Sequence, residues 1–431
     1  MKKHTQSPYE SSEISYKPSG IKWLGEIPQG WEIKKLKYIG EIFGGVTGKT
    51  IKDFSKEYKP NFKPYITFTN VCNNAIINPN LMEYVFIDFD EKQNKVLKND
   101  ILFLQSSETF EDVGKSAIYL NDDEVYLNTF CKGFRIEREA YSMYLNYLLS
   151  SLNYKRYFMS VCSGFTRINL RQEHFLDIPL ILPPLQEQKE IAEFLDKKCE
   201  KIQNYINKKQ KLITLLQEKK QALINEVVTK GLNPNIEFKN SDIEYLGLIP
   251  HHWEVRRMKF MASIHNGREQ TEIADENGIY PIYGSGGILG KSMYFIYDKP
   301  SVLLGRKGTI DKPLFVEEPF WTIDTMFYTS ISKIVLPKYF YYLCLTIDFQ
   351  FYISGSAIPS MTQYDLANIS FALPPLQEQK QIANFLDEKC EKINSAIEKT
   401  KRQIELIKKY KNTLINEAVC GRINLQKKER I

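Results

Sequence analysis

The chain has 431 residues, of which 43% are apolar and 26% charged, and 58 basic against 52 acidic side chains give a net charge of +6. This balance is typical of globular proteins and excludes a disordered, collagen-like or disulfide-scaffold protein. The mild basic excess permits a polyanionic partner without requiring one. The seven cysteines include no CxxC pair, which indicates free thiols rather than a zinc site or disulfides.

The first residues are polar and lack the apolar core of a signal peptide. No stretch approaches the roughly 18 apolar residues that a membrane span requires. We therefore expect a soluble, cytoplasmic protein in which residues 1–20 form an N-terminal tail.

Two segments of the chain are repeated. Residues 21–32 and 243–254 share the leading pattern Leu-Gly-x-Ile-Pro-x-x-Trp-Glu at an offset of 222. The motif Pro-Pro-Leu-Gln-Glu-Gln-Lys opens both 183–202 and 374–393, at an offset of 191. In this second pair 17 of 20 positions are identical, which excludes chance and indicates an internal duplication.

The segments between the repeats, about 38–162 and 260–353, show no convincing similarity to each other. Each half therefore comprises a constant leading segment, a variable body and a constant helical segment. Short helices rich in Tyr and Leu, at 141–157 and 338–349, are expected to close the bodies, so both are predicted to be mixed α/β. Strands are predicted at 64–69, 101–104, 115–120, 301–304 and 326–329.

The helical segments predict two long helices. The first covers 185–230 without Gly or Pro, with Gly231 as its C-cap, and the second runs from Leu376 to about Cys420, before Gly421. Residues recurring at alternating intervals of four and three predict the seam of a coiled coil. The seam positions are Ile202, Ile206, Lys209, Ile213, Leu216, Lys220, Leu223 and Val227 in the first helix, and Ile393, Ile397, Thr400, Ile404, Ile407, Lys411, Leu414 and Ala418 in the second.

Each helix could pack only on its own body. However, a helix of ~44 residues is about 66 Å long, which exceeds the face of a domain of this size. We therefore expect the helices to pair with each other, antiparallel, with the bodies at opposite ends. The predicted fold class is two mixed α/β (α+β) domains separated by an antiparallel coiled coil, with a pseudo-twofold internal repeat. The predicted domains are 21–182 and 233–373, each followed by its long helix, at 183–232 and 374–422, and then a tail at 423–431.

Motifs for independent catalysis are incomplete. Gly44–Thr50 is similar to a phosphate-binding loop, but it leaves three residues rather than four between the first Gly and Gly-Lys. The Pro-Pro pairs lack the neighbours of an amino-methyltransferase loop, and the five His residues have no zinc-binding spacing. The sequence therefore predicts no enzyme activity, metal or cofactor for this chain.

Two glycine-flanked segments of the second body, Tyr283–Gly287 and Gly305–Thr309, suit recognition of a nucleic acid. Glycine allows close approach to a phosphate chain, Arg306 can contact a guanine edge or a phosphate, and Lys307 can neutralise charge. In the first body, polar residues that can read base edges follow two strands, although each is also an ordinary turn former. The predicted DNA-contacting residues are Thr69, Asn70, Gln105, Ser106, Ser107, Lys115, Arg167, Arg171, Tyr283, Ser285, Gly286, Arg306, Lys307 and Thr309.

This organisation resembles the DNA specificity subunit of type I restriction-modification systems. The resemblance covers residues 21–422 and rests on the Leu-Pro-Pro-Leu-Gln-Glu-Gln copies, the Leu-Gly-x-Ile-Pro-x-x-Trp copies, and Tyr-Gly-Ser-Gly-Gly with Gly-Arg-Lys-Gly. It implies that each body is a target recognition domain for one half of a bipartite double-stranded DNA site. It also implies that the helices set the spacer and that the subunit has no catalysis of its own.

The same resemblance implies partner subunits. Two adenine methyltransferase (modification) subunits would use S-adenosylmethionine, and two restriction subunits would use ATP, so these cofactors and Mg are expected on the partners only. Because equal partners need equal surfaces, we expect the exposed helix faces and the leading segments, with Trp31-Glu32 and Trp253-Glu254, to dock the methyltransferases. The alternative function is a non-catalytic coiled-coil scaffold whose two heads bind proteins or glycans.

Overall fold

The structure, a computed structural model, describes residues 15–164, 166–353, 359–423 and 425. The chain forms two compact units. Unit 1 contains the residues up to Asn207 and those from Gln403 onward, and unit 2 contains Lys208–Arg402. Most of the two predicted tails therefore lies outside the described residues.

Unit 1 is built around two four-stranded sheets, with strand orders β10-β8-β12-β4 and β11-β6-β7-β5. Its strands are β1 Tyr16–Pro18, β2 Glu26–Pro28, β3 Glu32–Lys35, β4 Gly40–Gly44, β5 Phe54–Ser55, β6 Phe62–Ile66, β7 Glu83–Phe86, β8 Ile101–Leu104, β9 Ser106–Ser107, β10 Ser116–Ile118, β11 Tyr126–Leu127, β12 Cys131–Ile136, β13 Ile168–Asn169 and β14 Pro179–Leu182. Its helices are α1 Phe68–Asn73, α2 Ser142–Ser150, α3 Leu152–Val161, α4 Gln172–Leu176 and the first part of α5 Leu185–Lys230, with 3-10 turns at Leu36–Tyr38, Ile51–Asp53 and Pro79–Leu81.

Unit 2 repeats this plan with sheets ordered β18-β24-β21-β22 and β20-β19-β23. Its strands are β15 Phe238–Asn240, β16 Leu248–Pro250, β17 Glu254–Arg257, β18 Ala262–Asn266, β19 Tyr280–Gly284, β20 Gly287–Ser292, β21 Ser301–Gly305, β22 Leu314–Val316, β23 Trp321–Thr322, β24 Met326–Ile331 and β25 Ser370–Leu373. Its helices are α6 Met258–Met261, α7 Pro337–Cys344, α8 Gln363–Asn368 and the first part of α9 Leu376–Val419, with a 3-10 turn at Phe349–Tyr352.

The two bodies have the same topology although their sequences do not match. The sheet order β4-β12-β8-β10 of unit 1 recurs as β18-β24-β21-β22 in unit 2. The antiparallel pairs β6-β7 and β19-β20 correspond as well, and each first strand also pairs in parallel with a short strand, β11 or β23. A fold is set by burial and periodicity rather than by particular side chains, so two variable bodies can share one fold.

Most predicted elements are present, with shifts at their ends. The strand predicted at 64–69 stops at Ile66, because Thr67 caps α1 by accepting a hydrogen bond from the Asn70 amide at 3.2 Å. The helix predicted at 141–157 is divided into α2 and α3 by Ser151, which has extended backbone angles. The strands predicted at 101–104 and 301–304 are confirmed as β8 and β21.

The two long helices are confirmed. Gly231 and Gly421 follow them with φ of +77° and +71°, the left-handed conformation that glycine favours at a helix end. Every predicted seam position is buried or half-buried, and many of the residues between them are exposed. The seam prediction is therefore confirmed for both helices.

Within each unit the helices run antiparallel. In unit 2, Lys220 in the last third of α5 donates a hydrogen bond to Asn394 in the first half of α9 at 3.0 Å. In unit 1, Ile191 near the start of α5 and Ala418 near the end of α9 line the same cavity. Both helices also contribute to the core of unit 2, through Val227 of α5 and Leu386 of α9. The alternative that each helix packs only on its own body is wrong.

The second Gln of each Pro-Pro-Leu-Gln-Glu-Gln motif fixes a long helix to its body. Buried Gln188 accepts a hydrogen bond from the Tyr141 amide at 2.9 Å and donates to the Pro183 carbonyl at 2.8 Å. Buried Gln379 does the same with the Leu336 amide at 2.8 Å and the Pro374 carbonyl at 2.9 Å. The motif is therefore repeated because each unit needs the same junction.

The tryptophans of the leading segments are core residues. Trp31 is 2% exposed and donates from its indole nitrogen to Glu187 at 3.1 Å, while Trp253 is fully buried. The two indole rings are therefore covered by the fold, whereas Glu32 and Glu254 of the same segments are exposed, and the expectation that these segments dock a partner stays a prediction. Among the described residues, no helix is long and apolar enough to cross a membrane.

Candidate nucleic-acid interface

In unit 2 the segment after β21 is held by the turn between β23 and β24. The amides of Arg306 and Lys307 both donate to the Thr325 carbonyl, at 2.9 and 3.3 Å. The guanidinium of Arg306 donates to the Asp324 carbonyl at 3.2 Å and lies 6.0 Å from the centre of the Phe327 ring. Lys307 is exposed and Arg306 is half-buried, so the turn orients one cation and leaves another in solvent.

The turn that contains Thr325 also contacts the other glycine-flanked segment, Tyr283–Gly287, which is distant from Gly305–Thr309 in the sequence. The Ser285 amide donates to the Thr325 hydroxyl at 3.3 Å. A Cβ on Gly308, whose φ is +82°, would lie 3.1 Å from the Ser285 hydroxyl. Gly286 is exposed at the tip of the β19-β20 hairpin. The predicted residues of both segments therefore form one surface.

Tyr283 and Thr309 are half-buried and lie mainly beneath this surface, where they pack against the residues that form it. The Tyr283 carbonyl accepts from the Ile323 amide at 3.0 Å, its ring packs edge-on against Phe320, and burial raises the pKa of its hydroxyl. Thr309 is half-buried, and its carbonyl would lie 2.4 Å from a Cβ on Gly305. Glycine at 305 is thus required by this close approach.

A third segment completes the arrangement in unit 2. The Gly308 amide donates to the Pro359 carbonyl at 2.9 Å, and the Met361 amide donates to the Arg306 carbonyl at 3.0 Å. Residues 354–358, immediately before it, lie outside the described part of the chain.

Unit 1 contains the same backbone arrangement with different side chains. The amides of Gln105 and Ser106 both donate to the Phe130 carbonyl, at 3.0 and 3.3 Å, as Arg306 and Lys307 do to Thr325. The Leu170 amide donates to the Gln105 carbonyl at 2.9 Å, as Met361 does to Arg306. Gln105 therefore occupies the position of Arg306, and Ser106 occupies that of Lys307.

The glycine pair at Gly44-Gly45 serves this arrangement. A Cβ on Gly45 would lie 2.0 Å from the carbonyl oxygen of Asn128, and one on Gly267 would lie 1.9 Å from that of Ile323. Both glycines let the end of the first body strand, β4 or β18, approach the turn that carries the site. Gly45, in the segment that is similar to a phosphate-binding loop, is therefore explained by this close backbone contact rather than by phosphate binding.

Several predicted residues of unit 1 are used inside the fold. Asn70 is 1% exposed, and its side chain donates to the Asn78 carbonyl and accepts from the Asn78 amide, at 2.8 and 3.1 Å. Ser106 and Ser107 are 7% and 5% exposed in β9, which pairs with β13. These three side chains do not face solvent, because Asn70 lies on the buried side of α1 and the two serines lie in a buried strand, so the DNA-contact prediction for them is corrected.

Other predicted residues remain accessible in part. Thr69 is exposed on α1, and its hydroxyl lies 3.1 Å from that of Thr67. The Gln105 side chain is half-buried and donates to the Leu170 carbonyl at 3.2 Å. Lys115 forms an ion pair with Asp112 at 2.6 Å, and its hydrogen bond lowers the pKa of that carboxyl.

The two predicted arginines of unit 1 differ in their surroundings. The guanidinium of Arg167 lies 4.3 Å from the centre of the Phe130 ring, so it joins the same turn that holds Gln105. Arg171 is exposed and pairs with Glu173 at 3.0 Å. Arg167 is therefore part of the site, whereas the charge of Arg171 is already compensated.

Sequence reasoning missed the central turns of both sites. Thr325 and Phe130 supply the carbonyl groups that organise each surface, and neither lies in a recognisable motif. The one signal was Phe130, a bulky apolar residue in a polar turn, whose side chain is 41% exposed. Within the described part of the chain, no group of three or more His, Cys, Asp or Glu side chains is placed to hold a metal ion.

Comparisons with known proteins identify the family of the chain. The model of the family described as type I restriction modification DNA specificity domain matches residues 28–217 and 250–406. These ranges cover well over half of the chain, which therefore belongs to this family.

Relatives match over nearly the whole length. A Methanocaldococcus jannaschii chain assigned as the specificity subunit of the type I restriction enzyme MjaX is 29% identical, over 94% of this chain and 96% of that protein. The type I restriction enzyme MjaVIII specificity subunit of the same organism is 26% identical, over 93% and 94%. A solved chain from work on complex assembly and conformational transition of the type I R-M system has a TM-score of 0.70 at 14% identity, over 91% of this chain and 98% of that chain, which shows the fold. None of these matches supports the alternative of a protein- or glycan-binding scaffold.

Proposed function

We propose that this chain gives a type I restriction-modification complex its DNA sequence specificity. Each unit reads one half of a bipartite site on double-stranded DNA. One observation carries the proposal: the same backbone arrangement presents Gln105 in one unit and Arg306 in the other. A constant frame with exchangeable side chains is what two readers of different sequences require.

The chemistry of the two positions suits base reading. Arginine can form paired hydrogen bonds with guanine, and glutamine with adenine, in the major groove. Exposed Lys307 next to Arg306, and Arg167 near Gln105, supply positive charge for the phosphate backbone. The surfaces therefore combine one candidate base reader with one candidate phosphate contact.

The paired helices are proposed to set the spacer between the half-sites. Each long helix has residues in both units and runs between them without a break, so the units are joined by two continuous helices. A helix held along its length by a partner resists bending better than a loop of equal length. The helices would thus fix which spacer lengths allow both units to bind at once.

The chain is proposed to carry no chemistry itself. Two methyltransferase subunits, with S-adenosylmethionine, and two restriction subunits, with ATP and Mg, would supply methylation and cleavage. Relatives named as specificity subunits of type I restriction enzymes support this division of labour. A DNA substrate also supports the expectation of a cytoplasmic protein.

The test is to express the chain with its methyltransferase subunit in a host without other methyltransferases and to map methylated adenines by long-read sequencing. We expect one bipartite motif with a fixed spacer. A salt titration of DNA binding by the same complex should show a steep loss of affinity, because phosphate contacts release counterions. Methylation that does not depend on the chain, or a motif without two parts, would contradict the proposal.

A further inference from the structure

Both units expose the same basic and aromatic surface, here called the basic-aromatic edge. Leu36 and Met258, at its centre in each unit, are fully buried, whereas the residues of the edge are exposed. Corresponding residues are separated by the offset of 222 that relates the leading segments. The edge consists of Lys34, Lys35, Lys37 and Tyr38 in unit 1, and of Arg256, Arg257, Lys259 and Phe260 in unit 2.

The aromatic rings of the two edges are matched in exposure and setting. Tyr38 is 56% exposed and Phe260 is 57% exposed. The ammonium group of Lys37 lies 5.6 Å from the centre of the Tyr38 ring, and that of Lys259 lies 5.4 Å from the centre of the Phe260 ring. An exposed aromatic ring beside a cation occurs at the same place in two units that otherwise differ, which indicates that the two rings share a role.

The edge lies away from the surface that carries Gln105 or Arg306. In unit 1, β4 begins at Gly40, two residues after Tyr38, and ends at Gly44, beside the turn that holds Gln105. Four steps along a strand span about 13 Å. The same separation holds along β18 in unit 2. The edge and the reading surface therefore lie at opposite ends of one strand, so the edge does not read bases.

The edge instead belongs to the strands that lead into the long helices. β3 pairs with β14, and β17 pairs with β25; β14 and β25 run directly into α5 and α9. β3 and β17 begin at the last residue of the repeated leading segments, and β14 and β25 end just before the repeated helical segments. A surface built on them is available in the same form on both units.

Both edges keep an excess of positive charge. In unit 1, Lys35 and Lys37 share the single carboxylate of Asp177, at 3.0 and 2.9 Å. In unit 2, Asn368 stands at the corresponding position, and Arg257 and Lys259 have no ion pair among the described residues. The excess is therefore larger in unit 2, but neither edge is neutralised.

We propose that each basic-aromatic edge docks one methyltransferase subunit, an inference that rests on the proposed function. An exposed aromatic ring is stabilised when a partner protein covers it with an apolar pocket, and surrounding cations then pair with carboxylates at the rim. A DNA backbone would use the cations but would leave the rings in water. Two equal surfaces on two unequal units fit two copies of one partner.

The experiment uses the full chain co-expressed with its methyltransferase subunit and analysed by native mass spectrometry without DNA. The Tyr38→Ala, Lys37→Glu double variant should retain one methyltransferase copy, with the other bound at least tenfold more weakly. The Phe260→Ala, Lys259→Glu variant should lose the other copy, and the combined variant should lose both. Phe89→Ala and Phe351→Ala are matched controls, because these exposed aromatics lie outside the two edges.

The conservative changes Tyr38→Phe and Phe260→Tyr should retain both copies, and a thermal melt of each variant checks the fold. Retention of two copies by the combined variant, with affinity within twofold of the wild type, would overturn the inference. Weaker DNA binding with unchanged methyltransferase binding would overturn it too, because the edge would then be a phosphate contact. A wild-type chain that binds no methyltransferase would instead refute the proposed function itself.

Discussion

Gln105 and Arg306 occupy the same position in two units whose body sequences do not match. Each directly follows an inner strand of its four-stranded sheet, β8 or β21, and each donates its amide to the carbonyl of a turn residue, Phe130 or Thr325. Because the backbone contacts are the same, these two positions differ in the side chains that they present. This relationship allows the two units to be tested against each other.

Replacing Arg306 with Ala should affect one half-site only. Loss of a paired contact to a base costs about 1–3 kcal/mol, or roughly 5- to 150-fold in affinity for the cognate half-site. Competition assays with DNA altered in one half at a time measure this. Gln105→Ala is the matched variant and should affect the other half. An equal loss on unrelated DNA would show that Arg306 contacts phosphate alone.

Replacing Gln188 with Leu should destabilise unit 1. The change leaves the partly buried amide of Tyr141 without its acceptor, at a cost of about 1 kcal/mol. For a unit of this size that corresponds to a fall of a few degrees in Tm, which calorimetry can measure. Gln186→Leu is the control, because Gln186 is exposed and donates only to Glu190, at 3.1 Å. Equal melting of both variants would contradict the role given to Gln188.

The stability of unit 1 should fall at alkaline pH in part because of Tyr65. Burial raises the pKa of this tyrosine from 10.0 to about 12, although the Asn128 amide donates to its hydroxyl. A raised pKa contributes stability that is complete below pH 10 and is lost as pH rises toward 12. Between pH 9 and 11 the loss from this group is about 1 kcal/mol.

The Tyr65→Phe variant removes that ionisation. We measure the free energy of unfolding of both proteins by urea denaturation at each pH. The difference between the variant and the wild type should be constant below pH 9 and should shift in favour of the variant between pH 9 and 11. Tyr58→Phe is the control, since Tyr58 is 70% exposed. The same difference between wild type and Tyr65→Phe at every pH would mean that Tyr65 titrates normally.

Lengthening both long helices should change the spacer and leave the half-sites unchanged. One added heptad in α5 after Asn207 and one in α9 after Arg402 add about 10.5 Å each, equal to about three base pairs. The heptad preserves the seam, so the pairing of the helices is retained. Methylome mapping reads the new motif. A heptad inserted at 232–237, outside the helices, is the control and should leave the spacer as it is.

The sequence by itself determined the duplication, the two long helices with their seam, and the family. These features depend on local information: heptad spacing, helix-ending glycines and identical stretches are read along the chain without knowing what touches what. The Pro-Pro-Leu-Gln-Glu-Gln copies were recognised in this way, although the reason for them, the buried amides of Gln188 and Gln379, was not.

Only the tertiary structure showed that the unlike bodies share one topology, and that Thr325 and Phe130 organise the two sites. The same is true of which polar residues face solvent: Asn70 and Arg306 were equal candidates in the sequence, but one is buried and the other is held at a surface. The physical reason is that burial and backbone pairing join residues distant in the chain. A side chain's chemistry is written in the sequence, whereas its access to a partner depends on what the rest of the chain packs around it.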